Sequence, residues 1–206
     1  MSTVIDPFKQ RRSIRKFQSH AVPLETLRDI LNAARYAPSA HNAQPWRFVV
    51  LTDAVAKLSL AEAMAHAWLR DLEKDGVTEK NRLKLTKASV KRINHIPVLI
   101  LSCLTLRDMM QFPDEARRRS ERDLAVQSLA AAIQNLLLAA SAKGLGSCWL
   151  CSPIFCKDAV KEALKLPSDM EPQALVAVGY PAETPEPPQR RPLQNIANLN
   201  KWDNPL

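Results

Sequence analysis

From Arg11 to Arg15 the chain reads Arg-Arg-Ser-Ile-Arg, three guanidinium groups and a hydroxyl within five residues. Arginine offers planar, permanently charged donor forks that match phosphate oxygens, so this donor density suits a phosphate monoester. An arginine cluster by itself also describes a solvated basic face; a second signal further along decides between them. The stretch Ala37-Pro38-Ser39-Ala40-His41-Asn42-Ala43-Gln44-Pro45-Trp46-Arg47-Phe48 combines proline-braced turns with small polar groups and runs into apolar Phe48-Val49-Val50-Leu51. Pro, Ser and Asn favour turns for local backbone reasons. The whole reads as a binding loop feeding a strand, with Trp46 a core residue when taken alone.

Two further groups of residues could do chemistry. Gly144-Leu145-Gly146 closes a long apolar segment. Glycine there serves either as a helix cap able to take positive φ or as a side-chain-free backbone that a flat ring can approach, and both readings stand. Of the cysteines, Cys103, Cys148, Cys151 and Cys156, the last three fall close together. Cys148-x2-Cys151 opens like half a zinc site, but a structural site wants four ligands and the matching pair is missing, so buried free thiols are expected and no metal. His20, His41, His66 and His95 are scattered and suggest no His-based metal site.

These residues need a scaffold, and 206 residues suit one domain with a sizeable core. Helical spacing of apolar groups from Pro23 predicts a helix that stops before Pro38. A strand follows over Trp46 to Thr52, then helices over Ala54 to Lys74 and Thr78 to Asn94, the second strongly basic. Pro97 to Leu104 is a continuous apolar run and reads as a buried strand. A polar connection through Phe112-Pro113-Asp114 leads to a long helix over about Ser120 to Lys143, then come a strand over Ser147 to Leu150, a helix over Phe155 to Leu164 and a strand over Ala174 to Val178. From Tyr180 onward the chain is proline-rich with little core-forming pattern, an arm over about 180–206 expected to wrap a neighbour.

Composition narrows the function classes. The net charge of +8 permits a nucleic-acid partner, yet zinc-finger spacing, a basic heptad region and an aromatic RNA-binding motif are all missing, so the excess is assigned to anionic small molecules. No G-x-G-x-x-G and no Walker-type loop occurs. Leu124 to Ala142 carries no charge and approaches membrane-spanning length, but Gln127, Ser128, Gln134, Asn135 and Ser141 interrupt it, which favours the centre of a core or dimer. The N-terminus shows no signal peptide, and a cytoplasmic location is expected.

Taken together, the arginine cluster and the Pro38 to Trp46 element resemble the nitroreductase family of FMN enzymes. The likeness extends through Asp123 to Leu138 into Gly144-Leu145-Gly146-Ser147-Cys148-Trp149, then Val178-Gly179-Tyr180-Pro181 and Arg190-Arg191-Pro192-Leu193. The resemblance implies an α+β fold, a three-layer α-β-α sandwich built as an intertwined homodimer with FMN at the interface. It implies that Arg11, Arg12, Ser13, Arg15 and the late arginines, Arg190 and Arg191, hold phosphate and ribityl oxygens. Pro38, Ser39, Ala40, Asn42 and Gln44 would pack on the flavin ring from the other subunit, with Gly144, Leu145 and Gly146 also at the cofactor. It implies two-electron transfer from a reduced nicotinamide (NADH or NADPH) or deazaflavin donor to an electron-poor acceptor, with no catalytic nucleophile or base.

Within that family, the segments Trp68 to Gly76, Phe112 to Arg118 and Cys148 to Cys156 are similar to the C-terminal flavin domain of two-domain enzymes that build the deazaflavin coenzyme factor 420. That likeness implies a flap over Trp68 to Gly76, with Asp71 a substrate contact or a simple helix-surface charge. His41 is the other candidate substrate contact. A flavin-fragmenting or dehalogenating enzyme and a non-catalytic flavin or deazaflavin carrier are the competing readings.

Overall fold

A computed structural model of the protein describes residues 6–206. After a short helix α1 (Asp6–Gln10), helix α2 (Leu24–Ala34) leads to β1 (Trp46–Leu51), α3 (Ala54–Lys74), α4 (Glu79–Asn94) and β2 (Val98–Leu104). Helix α5 (Glu115–Ala142), β3 (Gly146–Leu150), α6 (Lys157–Leu164) and β4 (Glu171–Gly179) complete the order. The strands form one sheet in the order β1-β2-β4-β3, every neighbouring pair antiparallel.

Each central strand is apolar on both faces because each face carries a layer of helices. On one face Ile100, Val176 and Val178 meet Leu27 and Ile30 of α2 and Leu129, Ile133 and Leu136 of α5. On the other, Leu99, Leu101, Leu175 and Ala177 meet Leu60, Ala61 and Met64 of α3, Ile93 of α4 and Val160 of α6. The result is the expected α+β three-layer sandwich. Helix α5 is long and apolar enough to cross a membrane, but nine of its residues are buried and it packs within the first of these cores.

Two boundaries differ from the sequence expectation. Helix α5 starts at Glu115, five residues before the predicted Ser120, because the Asp114 carboxylate accepts a hydrogen bond from the Arg117 backbone N–H at 2.9 Å and caps the first turn. Phe155 belongs to a 3-10 turn over Ser152–Cys156, and α6 begins only at Lys157. The cysteines divide as well. Cys103 and Cys148 are buried as expected, but Cys151, past the end of β3, is exposed and Cys156, packed at the margin of the second core, is half-buried.

One ion-pair group ties the layers together. Glu171, at the start of β4, accepts hydrogen bonds from Arg122 of α5, Lys157 of α6 and the Gln173 side-chain amide. Burial by itself raises the Glu171 pKa, but the hydrogen bonds and positive charges of Arg122 and Lys157 outweigh it and hold the carboxyl at about 2, against an ordinary 4.5. A depressed pKa contributes stability that is present above about pH 4.5 and is lost as pH falls from there toward 2. Glu171→Gln is therefore expected to lose roughly 1–3 kcal/mol at pH 7. Its unfolding free energy should also change less between pH 5 and pH 3 than that of the wild type, measured by denaturant titration at both values.

Candidate functional site

The arginine cluster is held as a short extended segment against the edge strand β3. The Ile14 N–H donates to the Ser147 carbonyl at 2.9 Å, forming a parallel bridge between Ser13 and Ser147. Gly146 makes this approach possible. A Cβ there would lie 2.8 Å from Cβ and Cγ2 of Ile14, closer than side chains tolerate. On its other side the segment is clamped by the chain beyond β4. The Gln18 N–H donates to the Tyr180 carbonyl, Ala182 N–H to the Lys16 carbonyl, and the Glu183 carboxylate accepts from the backbone N–H groups of Arg15 (2.7 Å) and Lys16 (3.1 Å). Those hydrogen bonds, the Arg15 one foremost, hold the Glu183 carboxyl below its usual range.

Arg11, Arg12 and Ser13 are half-buried and Arg15 is exposed. Among the described residues none of the three guanidinium groups is in an ion pair. Arg12 donates to the Lys9 and Arg11 carbonyls and Arg15 to the Ser13 carbonyl. Three unneutralised guanidiniums on a strand anchored at both sides are the donor set a phosphate monoester requires. Buried Cys148 lies beside them; burial pushes its thiol pKa up, against the pull of the Arg15 and Arg11 charges.

The second half of the site, the loop after Pro38, is held in a conformation side chains rarely adopt. His41, Asn42 and Gln44 have φ of 55°, 54° and 46°, in the left-handed region, which costs free energy at each non-glycine residue. Hydrogen bonds hold it there. The Gln44 N–H donates to Ser39 Oγ at 3.0 Å, the Ala40 N–H to Ser128 Oγ at 3.2 Å, and His41 Nε2 lies 3.4 Å from the Glu121 carboxylate. Glu121 is buried, and its other oxygen accepts the Met110 N–H. The side chains of His41, Asn42 and Gln44 are left exposed, as is Pro38, while Ser39 and Ala40 are half-buried. Sequence reasoning missed the three residues that brace these segments, Glu121, Ser128 and Glu183. Glu121 had a readable signal, an acid next to an uncharged apolar run, whereas Ser128 and Glu183 had none.

Gly144 takes both roles foreseen for this turn only in part. With φ of +73° it ends α5, and the Leu145 N–H returns to the Ala140 carbonyl at 2.9 Å, so Gly144 caps the helix while Gly146 provides the close backbone approach. Leu145 is buried in the core. Arg190 and Arg191 lie on the exposed arm, and among the described residues no hydrogen bond brings them to the arginine cluster. Asp71 lies on the last turns of α3, a helix continuous to Lys74, so most of Trp68 to Gly76 is helical, as expected over Ala54 to Lys74.

Beyond the Ser13–Ser147 bridge, β3 leads along the sheet edge to a cavity of about 650 Å³ lined by Trp68, Asp71 and Asp75 of α3, Arg92 of α4, and Cys151 and Phe155. The donor set fits the phosphate of FMN.

The fold and the site fit an α+β protein that binds a phosphate-bearing cofactor. Residues 8–180 match the Nitroreductase family, and the chain belongs to it. It is 33% identical over 214 residues to the NADH dehydrogenase of Thermus thermophilus, covering 91% of each chain. Its structure resembles a nitroreductase-type protein of Desulfovibrio desulfuricans in complex with FMN, with 29% identity, a TM-score of 0.73 and coverage of 98% and 99% of the two chains. It also resembles a BluB-like flavoprotein of Clostridium difficile, with 27% identity, a TM-score of 0.80 and coverage of 98% and 100%. The protein is an FMN-dependent oxidoreductase.

Proposed function

We propose that the protein works as a homodimer, taking two electrons from a reduced nicotinamide and delivering them to an electron-poor acceptor such as a nitro compound, a quinone or an activated alkene. One observation carries the dimer. The loop at His41 to Gln44 is braced by Ser128, whereas Leu145, just before the arginine-bearing strand edge, is tied to Ala140. Those anchors are about 18 Å apart along α5. The loop is thus braced at the middle of α5 and the arginine-bearing edge beyond its C-terminal end, and a two-fold partner closes the gap by presenting its own loop to this chain's arginines. The outer face of α5 supports the reading. Leu124, Gln134 and Leu138 are half-exposed, and no charge occurs from Leu124 to Ala142. The arm supports it too, with Leu193, Ile196, Leu199 and Trp202 at least half-exposed in a single chain and Trp202 at 81%. Exposed apolar surface of that extent marks a contact.

Each cluster has a task in this reading. Arg11, Arg12, Ser13 and Arg15 hold the phosphate, and the partner's loop, stiffened by its hydrogen bonds, presses on the ring. FMN bound there supplies two-electron redox chemistry, and the protein supplies orientation and charge. The likeness to the factor 420 enzymes adds a dehydro deazaflavin precursor as a candidate acceptor, with Asp71, which lines the cavity, as its contact. Mixing the FMN-loaded protein with NADH and NADPH in stopped flow should bleach the flavin, and added quinone or nitro compound should restore it. A flavin that neither nicotinamide bleaches would reject the donor assignment.

The dimer has its own check. Truncation after Glu183 removes the exposed apolar arm and keeps the clamp on Arg15. It is expected to convert a dimeric, FMN-loaded species in sedimentation into a species that is monomeric or weakly associated and poor in FMN. A full-length protein that sediments as an FMN-loaded monomer would overturn the dimer.

A further inference from the structure

Helix α4 packs on α3 through a face that carries the buried Thr86 and Ile93, and its opposite face meets solvent. Six cationic side chains against one acidic one give this helix a net charge of +5, most of the chain's +8. Four of the six, Lys80, Lys84, Lys87 and Lys91, recur at steps of four, three and four residues. They therefore form one stripe about 16 Å long on the side away from Thr86 and Ile93. All four are exposed, and among the described residues none is in an ion pair. Of the acids in the neighbouring turn of chain, Glu73 pairs with Arg82 at 3.2 Å and Asp71 with Lys74 at 3.3 Å. Like charges three and four residues apart oppose a helix, and here no paired acid offsets them among the described residues. Apolar groups border the stripe. Leu83, three residues after Lys80 and four before Lys87, is 39% exposed, and Leu85 is 42% exposed.

Cations on flexible aliphatic stems beside exposed leucines complement a surface that is anionic, fluid and apolar underneath. We propose that this face of α4 is a docking surface for an anionic lipid bilayer. The four lysines meet the headgroup phosphates and carboxylates, and Leu83 enters the boundary below them. A nucleic acid is the poorer match. Lysine is a hydrated point charge without the fixed donor fork of arginine, α4 holds no aromatic side chain on which a base could stack, and exposed leucines add affinity for lipid but none for a phosphate polymer. The placement agrees. Ile93 of α4 belongs to the core on one face of the sheet and α5 to the core on the other, so the stripe stays open when α5 forms the proposed dimer. The same helix lends Ser89, Arg92 and Ile93 to the cavity at the end of β3, so docking holds that cavity roughly one helix diameter from the headgroups. An acceptor dissolved in the bilayer, such as a quinone, is then close at hand. That last consequence rests on the proposed acceptor; the docking itself does not.

Flotation of the FMN-loaded, full-length protein with lipid vesicles tests this. The protein is expected to float with vesicles of phosphatidylcholine and phosphatidylserine, to stay behind with pure phosphatidylcholine, and to be released as salt rises. Each lysine neutralised should lower the partition by about fivefold. Lys84→Gln with Lys87→Gln therefore loses more than about tenfold, and the variant with all four lysines changed to Gln stays behind, both with FMN content unchanged. If the fourfold variant folds poorly, the pair carries the test. Lys165→Gln with Lys201→Gln removes the same charge from exposed positions elsewhere and should float nearly as the wild type does. A loss there equal to that of the α4 pair would mean that net charge alone acts, and would overturn the stripe. Leu83→Ser should weaken flotation a few-fold, most visibly at physiological salt, where the charge contribution is screened. Binding to a uridylate homopolymer as tight as to the anionic vesicles, and indifferent to Leu83→Ser, would identify a nucleic-acid surface instead and overturn the proposal, as would a wild type that fails to float with anionic vesicles at low salt. The reading of the redox site fails separately, since flavin that neither NADH nor NADPH bleaches, with flotation intact, removes the donor and keeps the docking surface.

Discussion

Arg11→Ala combined with Arg15→Ala is expected to yield a folded protein that purifies largely without FMN. On the proposed phosphate site each guanidinium would supply a charge-assisted contact worth about 1.5–3 kcal/mol. Losing two lowers affinity by two or more orders of magnitude. The fold should survive because neither guanidinium is in an ion pair among the described residues and the segment is held by backbone bonds, from Ile14 to Ser147 and from Glu183 to the Arg15 and Lys16 N–H groups. The check is flavin absorbance per protein after gel filtration, then an FMN titration of the apo form, with circular dichroism confirming the fold. A double variant that stays fully yellow would remove the phosphate site from these residues.

Gly146→Ala is the second large effect, and it acts on the same site through packing. The added Cβ would sit 2.8–2.9 Å from three side-chain atoms of Ile14, one of them the Cβ, which cannot rotate away. Ile14 is itself buried, so the strain must be met by moving the arginine strand off β3. Overpacking of this kind costs about 1–3 kcal/mol, and because it displaces Arg11 to Arg15 it should weaken FMN binding as well as lower the melting temperature. Ile14→Ala in the same chain vacates the contested volume. The double variant should recover much of the FMN affinity lost in Gly146→Ala, a coupling expected only of groups in contact. Equal FMN affinity in Gly146→Ala and wild type would show that the strand's distance from β3 does not matter to the site.

Wherever one physical pattern dominated, the chain could be read directly. Helix α3 falls on the predicted Ala54 to Lys74, and β2 lies within the predicted Pro97 to Leu104, because amphipathic periodicity and an unbroken apolar run each admit one solution. The start of α5 was misplaced because Asp114 had been read as part of a polar connection, and its capping bond to Arg117 depends on a local geometry that residue type only permits. The types and order of the site residues were equally legible. Three arginines and a hydroxyl suit an anion or a solvated basic face, and the Pro-Ser-Asn-Gln loop announces a turn.

What the sequence could not determine is which groups share a space. Glu183 reaches Arg15 across 168 positions of chain, and Ser128 reaches Ala40 across 88. Such pairings exist only because the antiparallel sheet and the α5 layer bring remote segments together. Most of the Trp68 to Gly76 segment is the end of the helix its periodicity predicted, and the tertiary fold adds that Leu72 is buried there. Arg92 drew no attention, and Asp75 and Phe155 only as members of longer segments. Only the packing of α3 and α4 against the end of β3 makes them walls of one cavity. Local chemistry therefore decided what this protein could bind, and long-range packing decided where, because side-chain identity fixes donors and charges while the distances between them belong to the tertiary fold.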